Sequence, residues 1–380
     1  MITLLSFWES YITNPTLLRI VTNPYLLFAI GLVLLIKGGD WFVDGASGVA
    51  KRYHVPELLI GATVVSIGTT LPEVMVSSGA ALKGVGDIAY GNAIGSIICN
   101  TSLIAAITIA IKPSRADRKS LIVPVVSFFL AAAVYLVVAY GTGKFTRGVG
   151  ILLLAMFVVY VALTVRQAIA GIRAGKDGAA GEAPAEKATS ASGAVTAAEE
   201  QSSENVPAEE KKDEKPEKER SVLFLLGLIV IGAAFIAFGA DLLVDNATII
   251  AKNFGVSEAV IGLTVIALGT SLPELVTAIT SLAKGHGALS LGNIIGANLF
   301  NLVLVCGMAI TISPFNLPSG KTIAGINSSL VIDLPVMLFV MGLLTIPTIV
   351  RGKLSRVQGI VLLATYVSFT AFQIVFSLCF

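Results

Sequence analysis

The sequence predicts an all-α, polytopic membrane protein: ten transmembrane helices in two inverted repeats of five, with the second and seventh helices broken. Three observations carry this reading. The 380 residues are 55% hydrophobic and only 13% charged, where a soluble domain carries roughly a quarter charged residues. Apolar segments long enough to cross a ~30 Å hydrocarbon core, roughly 20 residues each, recur along the whole chain. The second half of the chain repeats the first.

The chain opens with a mixed stretch, residues 1–23, in which Glu9, Pro15 and Arg19 interrupt the apolar run. It reads as an interfacial segment, and no cleavable signal is evident. Five spans follow near 25–48, 57–82, 87–111, 121–140 and 148–172, and five more near 222–250, 258–283, 288–312, 325–346 and 355–377. Residues 24–173 and 221–380 therefore form two five-helix halves. The segment between them, 174–220, is rich in Ala, Glu, Lys, Ser and Pro, with about 12 acids against about 7 bases. Such a composition buries too little apolar surface to fold, which predicts a disordered acidic linker. A calcium-sensing role for it finds no EF-hand pattern.

Lys and Arg in short loops set orientation. Loops at 51–52, 112–119, 166–176, 284 and 351–356 carry about 13 of them, and the alternate loops about 6. This expects the first set, and the linker, on the cytoplasmic side of a cell (inner) membrane, with both termini outside.

Shifting the chain by 201 positions places Asp40 on Asp241, Asp44 on Asp245, Lys51 on Lys252, Gly61 on Gly262, Pro72 on Pro273, Glu73 on Glu274, Lys83-Gly84 on Lys284-Gly285, Asn92 on Asn293, Gly95 on Gly296 and Asn100 on Asn301, without a gap. Such self-similarity marks an internal duplication. With an odd number of spans per copy, the second copy enters the membrane from the opposite side. That is the architecture of many secondary transporters, whose substrate sits near the midplane between the repeats.

The motif Gly-Thr-Thr-Leu-Pro-Glu, Gly68 to Glu73, and its copy Gly-Thr-Ser-Leu-Pro-Glu, Gly269 to Glu274, each put a proline and a carboxylate inside an apolar span. Pro72 lacks the amide that would bond to the Gly68 carbonyl, which predicts a break near 67–72. Irregular backbone at membrane depth persists where it is buried in protein or lines a watery cavity, and the freed carbonyls around Ser66 to Thr69 could ligate a cation. Ser66, Thr69 or Thr70, and Glu73 share one helical face. Asn92, Ser96 and Asn100 form a polar stripe on the third span, and the second copy supplies Thr270, Ser271, Glu274, Asn293 and Asn301. All are oxygen donors, which suit hard cations such as Ca²⁺ and Na⁺. An intramembrane carboxylate points to function, and two of them match one Ca²⁺ or two monovalent ions. Asn92 and Asn293 serve equally well as structural bonds. Gly91, Gly95, Gly292 and Gly296 form GxxxG pairs suited to close helix approach.

At these residues the chain resembles the two α-repeats of sodium/calcium exchangers, within the calcium/cation antiporter superfamily. The resemblance implies Ca²⁺ export driven by Na⁺ entry, commonly with more than two Na⁺ per Ca²⁺, and first and sixth spans that slide across the other eight. Carried over, it implies acidic ligands at Glu73 and Glu274, hydroxyl ligands at Thr69, Thr70, Thr270 and Ser271, backbone-carbonyl ligands at Ser66 and Ala267, and third-span ligands at Ser96 and Asn100. Ala297 stands where a serine is common in the closest prokaryotic pattern, and Asn301 where an aspartate can occur. That departure bears on the number of Na⁺ sites.

The alternatives are a proton/Ca²⁺ antiporter using the same carboxylates, or a cation channel. No paired nucleophile and base, zinc motif or phosphate loop supports an enzyme. No cofactor is implied, the ions being cargo, and the net charge of +2 gives no reason to expect a nucleic-acid partner. A monomer in the lipid bilayer is expected. Asp40, Asp44, Asp241 and Asp245 read as caps or partners of Lys51 and Lys252, His54 and His286 as loop residues, and Cys99, Cys306 and Cys379 as free thiols.

Overall fold

The computed structural model describes residues 23–113, 116–180, 221–253, 269, 271–318 and 322–379. Among them, nine helices are long and apolar enough to cross a membrane, and a tenth apolar helix is shorter. In chain order they are α1 Pro24–Tyr53, α2 Glu57–Leu82, α3 Gly86–Ile111, α4 Arg118–Gly141, α5 Arg147–Ala180, α6 Val222–Asn253, α7 Leu272–Ala283, α8 Gly287–Ile312, α9 Ser329–Arg351 and α10 Arg356–Cys379. The expected interfacial segment and most of the expected linker lie outside the described residues. Helix α5 continues to Ala180, seven residues past the expected boundary at 173.

Local chemistry sets the helix ends. Asn23 caps α1, its Oδ1 accepting from the amides of Tyr25 (2.9 Å) and Leu26 (3.2 Å), with Pro24 in the first turn, where a missing N–H costs nothing. Asp117 does the same for α4 through the amides of Lys119 and Ser120. His54 ends α1 in the left-handed region at φ 53°.

The loops gather at two faces. At one, His286 Nδ1 lies 2.7 Å from Glu57 Oε1, the Ala116 amide donates to the Gly352 carbonyl, and Arg118 donates to the Val350 carbonyl. His286 is thus tied to the start of α2, where the sequence offered only a loop residue. At the other face, strand β1 (Lys144–Phe145) pairs antiparallel with β2 (Phe315–Asn316), and Phe315 presses on Gly86. A short hairpin of β3 (Thr322–Ile323) and β4 (Ile326–Asn327) precedes α9. Helix α2 has 26 residues and so spans roughly 39 Å, which separates the Lys284 loop beside Glu57 from the Lys83 loop at the far end of α2. This grouping of loops matches the partition that the Lys and Arg counts expect.

Helices α1 and α6 touch backbone to backbone. A Cβ at Gly31 would lie 2.9 Å from the Gly239 carbonyl oxygen, and one at Gly239 2.9 Å from that of Gly31; Gly38 and Gly232 face each other in the same way. Rising numbers on α1 meet falling numbers on α6, so the two run antiparallel. Gly31 and Gly38 are the 201-shifted partners of Gly232 and Gly239, so the contact maps onto itself. Helix α8 approaches the start of α2 just as closely, with Gly292 against the Leu58 carbonyl and Gly296 against Ala62. Gly91 and Gly95 meet no described atom within 4 Å, so the close approach expected of both GxxxG pairs is seen at one.

The expected break at 67–72 is absent. Residues 66–82 form one α-helix that passes through Pro72. The irregularity sits upstream, in a π-turn at Gly61–Val65. Proline deletes one donor, and the flanking bonds carry the helix past it. In the second copy, Pro273 lies in the first turn of α7, so no break occurs within the described part of that helix either. Further π-turns begin at Asn100, at Asn301 and at Ser329, the first two at positions that the 201-residue shift superposes.

The glycine seam yields a prediction. Gly38→Val forces a side chain against the Ile236 amide, 2.8 Å from the ideal Cβ position. Overpacking of this kind costs about 1–3 kcal/mol. A lowered thermal unfolding midpoint in detergent is expected, with no loss for Gly227→Ala, whose Cβ meets nothing within 4 Å.

Candidate cation site

Helices α2, α3, α7 and α8 pack together in the middle of the bundle, and each turns polar residues inward. From α2 come Ser66, Thr69, Thr70 and Glu73; from α3, Ser96 and Asn100; from the start of α7, Ser271 and Glu274; from α8, Asn293 and Asn301. All ten are buried, and both glutamates are fully so. The expected ligands Thr270 and Ala267 lie outside the described residues.

Two kinds of polar group can be told apart. Some are committed to holding helices together. Ser66 Oγ reaches the Gly61 carbonyl (2.7 Å) and the Asn293 carbonyl (3.0 Å), tying the π-turn of α2 to α8. Thr69 Oγ1 donates to Asn293 Oδ1 at 3.1 Å. Asn92 Nδ2 donates to Ser77 Oγ (2.8 Å) and to the Glu73 carbonyl (3.3 Å), locking α3 to α2. Asn92 and Asn293 thus make the structural bonds that the sequence left as one of two readings.

The other kind has no hydrogen-bond partner among the described residues: both carboxylate oxygens of Glu73 and of Glu274, Thr70 Oγ1, Ser271 Oγ, and both amide atoms of Asn100 and of Asn301. Other such atoms, among them the hydroxyls of Tyr90 and Tyr135, are scattered elsewhere. Buried polar atoms are normally satisfied, so each exception asks for an explanation. Glu73 and Glu274 stand on helices that touch, α2 and α7, and Thr69 and Cys99 lie beside the same site. No Lys, Arg or His appears among the buried residues described, so the described residues supply no counter-charge there. Nor do the described residues form a cluster of three or more His, Cys, Asp or Glu side chains. The site is two carboxylates with neutral oxygens around them, a donor set that fits a hard cation.

Several features left no mark in the sequence. Tyr160, on α5, donates through its hydroxyl to the Ala62 carbonyl at 2.8 Å, inside the π-turn of α2. Asn298, fully buried on α8, donates to Thr101 Oγ1 at 2.7 Å. The only available signal for Asn298 was an amide in an otherwise apolar span. Asp40 and Asp44 pair with Lys284, at 3.3 and 2.8 Å, where Lys51 was the expected partner. Lys51 falls in the last turn of α1, about two helical turns past Asp44, and the amine that pairs with the two aspartates is that of Lys284 from the loop after α7. Cys99 and Cys306 are free and buried, as expected.

Apolar helices sealed around a pair of carboxylates define a multi-pass membrane protein with an acidic site in its core. The family profile of sodium/calcium exchanger proteins matches residues 23–166 and 224–375, and the chain belongs to that family. It is 32% identical over 345 residues to the uncharacterized membrane protein MJ0091 of Methanocaldococcus jannaschii, covering 90% of this chain and 94% of that protein. It is 28% identical to the sodium/calcium exchanger MaX1 of Methanosarcina acetivorans, covering 92% and 98%. A solved structure of the sodium-calcium exchanger NCX_Mj, soaked with Na⁺ and Sr²⁺, superposes with a TM-score of 0.69 at 28% identity, covering 92% of this chain and 98% of that one. Membership supports cation/Ca²⁺ antiport across a membrane.

Removing the Tyr160 hydroxyl tests the brace on α2. Tyr160→Phe leaves the buried Ala62 carbonyl without its side-chain donor, at a cost of about 1 kcal/mol. A small fall in the unfolding midpoint is expected; an unchanged midpoint would show that the bond does not hold the π-turn.

Proposed function

We propose that this protein is a secondary antiporter that exchanges Na⁺ for Ca²⁺ by alternating access, with the ions held between Glu73 and Glu274. The observation that carries the reading is that these two carboxylates are fully buried and that, among the described residues, their oxygens are left without a hydrogen-bond partner and no buried Lys, Arg or His stands near them. Ions buried unpaired in low dielectric are costly. One Ca²⁺ or two Na⁺ supply the missing charge, and an empty, doubly ionised site is disfavoured. This is the physical basis of obligatory exchange: the carrier re-orients when its charge is compensated.

In this reading Thr69, Thr70, Thr270, Ser271, Ser96, Asn100 and Asn301 complete the ion shells, with the carbonyls of Ser66 and Ala267. Thr70, Ser271, Asn100 and Asn301 are the better supported, because their oxygens are otherwise unbonded. Inverted repeats also belong to the proposal. The antiparallel contact of α1 with α6 supports them, as do loops Lys83-Gly84 and Lys284-Gly285 at opposite ends of α2. The Lys- and Arg-rich face is the cytoplasmic one, both termini lie outside, and the segment after α5, 181–220, is a cytoplasmic linker of a monomeric inner-membrane protein.

The test is Ca²⁺ uptake into proteoliposomes under an imposed Na⁺ gradient, a proton gradient, or neither. Uptake driven by Na⁺ is expected. Uptake that follows only the proton gradient would make the proton the coupling ion, and single-channel currents would make the protein a channel. Glu73→Gln and Glu274→Gln are each expected to reduce uptake to background while the protein still purifies as a folded species. Normal exchange by either variant would refute the site.

A further inference from the structure

The 201-residue shift superposes Lys83 on Lys284, Asp40 on Asp241 and Asp44 on Asp245, yet the structure treats the two sets differently. Lys284 Nζ lies 2.8 Å from Asp44 Oδ1 and 3.3 Å from Asp40 Oδ1, and donates to the Asp40 carbonyl at 3.0 Å. All three residues are partly buried. Their counterparts Lys83, Asp241 and Asp245 are exposed, and among the described residues no ion pair joins them. The helix contacts differ in the same sense. Helix α1 packs along α7, where a Cβ at Gly39 would lie 2.7 Å from Val276 Cγ1 and 3.0 Å from Thr280 Oγ1. On α2 the equivalent positions are open: Leu71 is 49% and Met75 74% exposed, and a Cβ at Gly79 meets nothing within 4 Å. Helix α6 touches α2 only sparsely.

The Lys and Asp residues are identical in the two copies, yet their contact is made in one and unmade in the other, while the helix contact beside them also differs in side chains, Val276 and Thr280 against Met75 and Gly79. Because the Gly31, Gly38, Gly232 and Gly239 seam maps onto itself, exchanging the roles of the two copies leaves α1 and α6 packed as they are. It moves only their joint position against the other helices. We infer that Lys284 with Asp40 and Asp44, and Lys83 with Asp241 and Asp245, are two latches that close in alternation as α1 and α6 move together against the remaining helices. The structure has the Lys284 latch closed. The two lysines lie at opposite ends of α2, so closing one latch seals one face of the molecule while the other end stays open. Each ion pair is partly exposed and so is weak, which suits a contact that must break in every cycle. Lys284, Asp40 and Asp44 are positioning residues and touch no ion. The inference rests on the proposed alternating access, but it is tested separately from ion coupling.

The experiment uses the full chain in proteoliposomes, in a Cys379→Ser background that keeps the buried Cys99 and Cys306. Spin labels at Val85→Cys and Ile249→Cys report the distance between the Lys83 loop and the end of α6 without touching either latch. Two distances are expected, with the longer one dominant. Lys284→Gln should raise the ratio of short to long about fivefold, and Lys83→Gln should lower it. A thiol crosslinker joining Lys83→Cys to Asp245→Cys should arrest exchange, as should one joining Lys284→Cys to Asp44→Cys. A single distance, unmoved by either neutralisation in protein that still exchanges Ca²⁺, would overturn the inference, and so would molecules that carry both crosslinks. Shifting distances without Na⁺-driven Ca²⁺ uptake would leave the latches standing and overturn the proposed coupling instead.

Discussion

Two carboxylates in the middle of an apolar bundle need a positive charge that the described core does not contain. This constraint organises the molecule. A site with no basic side chain is a poor place to rest and a good place to receive a cation, provided that water and lipid are kept out. The packing of α8 against the start of α2 meets that need: Gly292 and Gly296 bring the backbones together, and Ser66 and Thr69 bond across the gap to Asn293. Apart from Thr69, which bonds to Asn293 and is also placed in the proposed ion shell, the polar groups that hold the helices are distinct from those left open beside Glu73 and Glu274.

The duplication supplies symmetry, and the structure departs from it in two different ways. Some departures are written in the sequence and are permanent, such as Ser96 against Ala297. Others occur between identical residues, as with Lys83 and Lys284. Only the second kind can reverse. On the proposed alternating access, the unmade contact of one copy describes the other state, and the seam between α1 and α6 is the element that both arrangements would share.

Much of this was legible in the sequence, and for physical reasons. Span positions follow from the length of apolar runs that a bilayer demands, and nine of the ten expected spans appear within a few residues of their predicted bounds. Burial of Glu73 and Glu274 follows from their place in such runs. The break at Pro72 was misjudged because proline removes one donor from a helix that neighbouring contacts otherwise enforce. The π-turns at Gly61, Asn100 and Asn301 could not be read at all, since an extra residue in a turn leaves no compositional trace. The partner of Asp44 was missed for a related reason. Lys51 is seven residues away in sequence, but Lys284 is delivered by a fold that only the assembled bundle reveals.

Asn100 and Asn301 bear on what the site can accept. Each begins a π-turn, is fully buried, and has both amide atoms unbonded among the described residues. A neutral amide oxygen ligates a cation without adding charge. On the proposed reading, an aspartate at 301 would raise the site to three carboxylates and require a further positive charge or a bound proton. With asparagine there, Glu73 and Glu274 alone set the charge that the cargo must match. Ala297, buried on the same helix where Ser96 stands in the first copy, removes one hydroxyl from that side. On the same reading, the second repeat offers a further ion less charge and fewer oxygens than an Asp–Ser pair would, which would limit the capacity of the site there rather than at the glutamates.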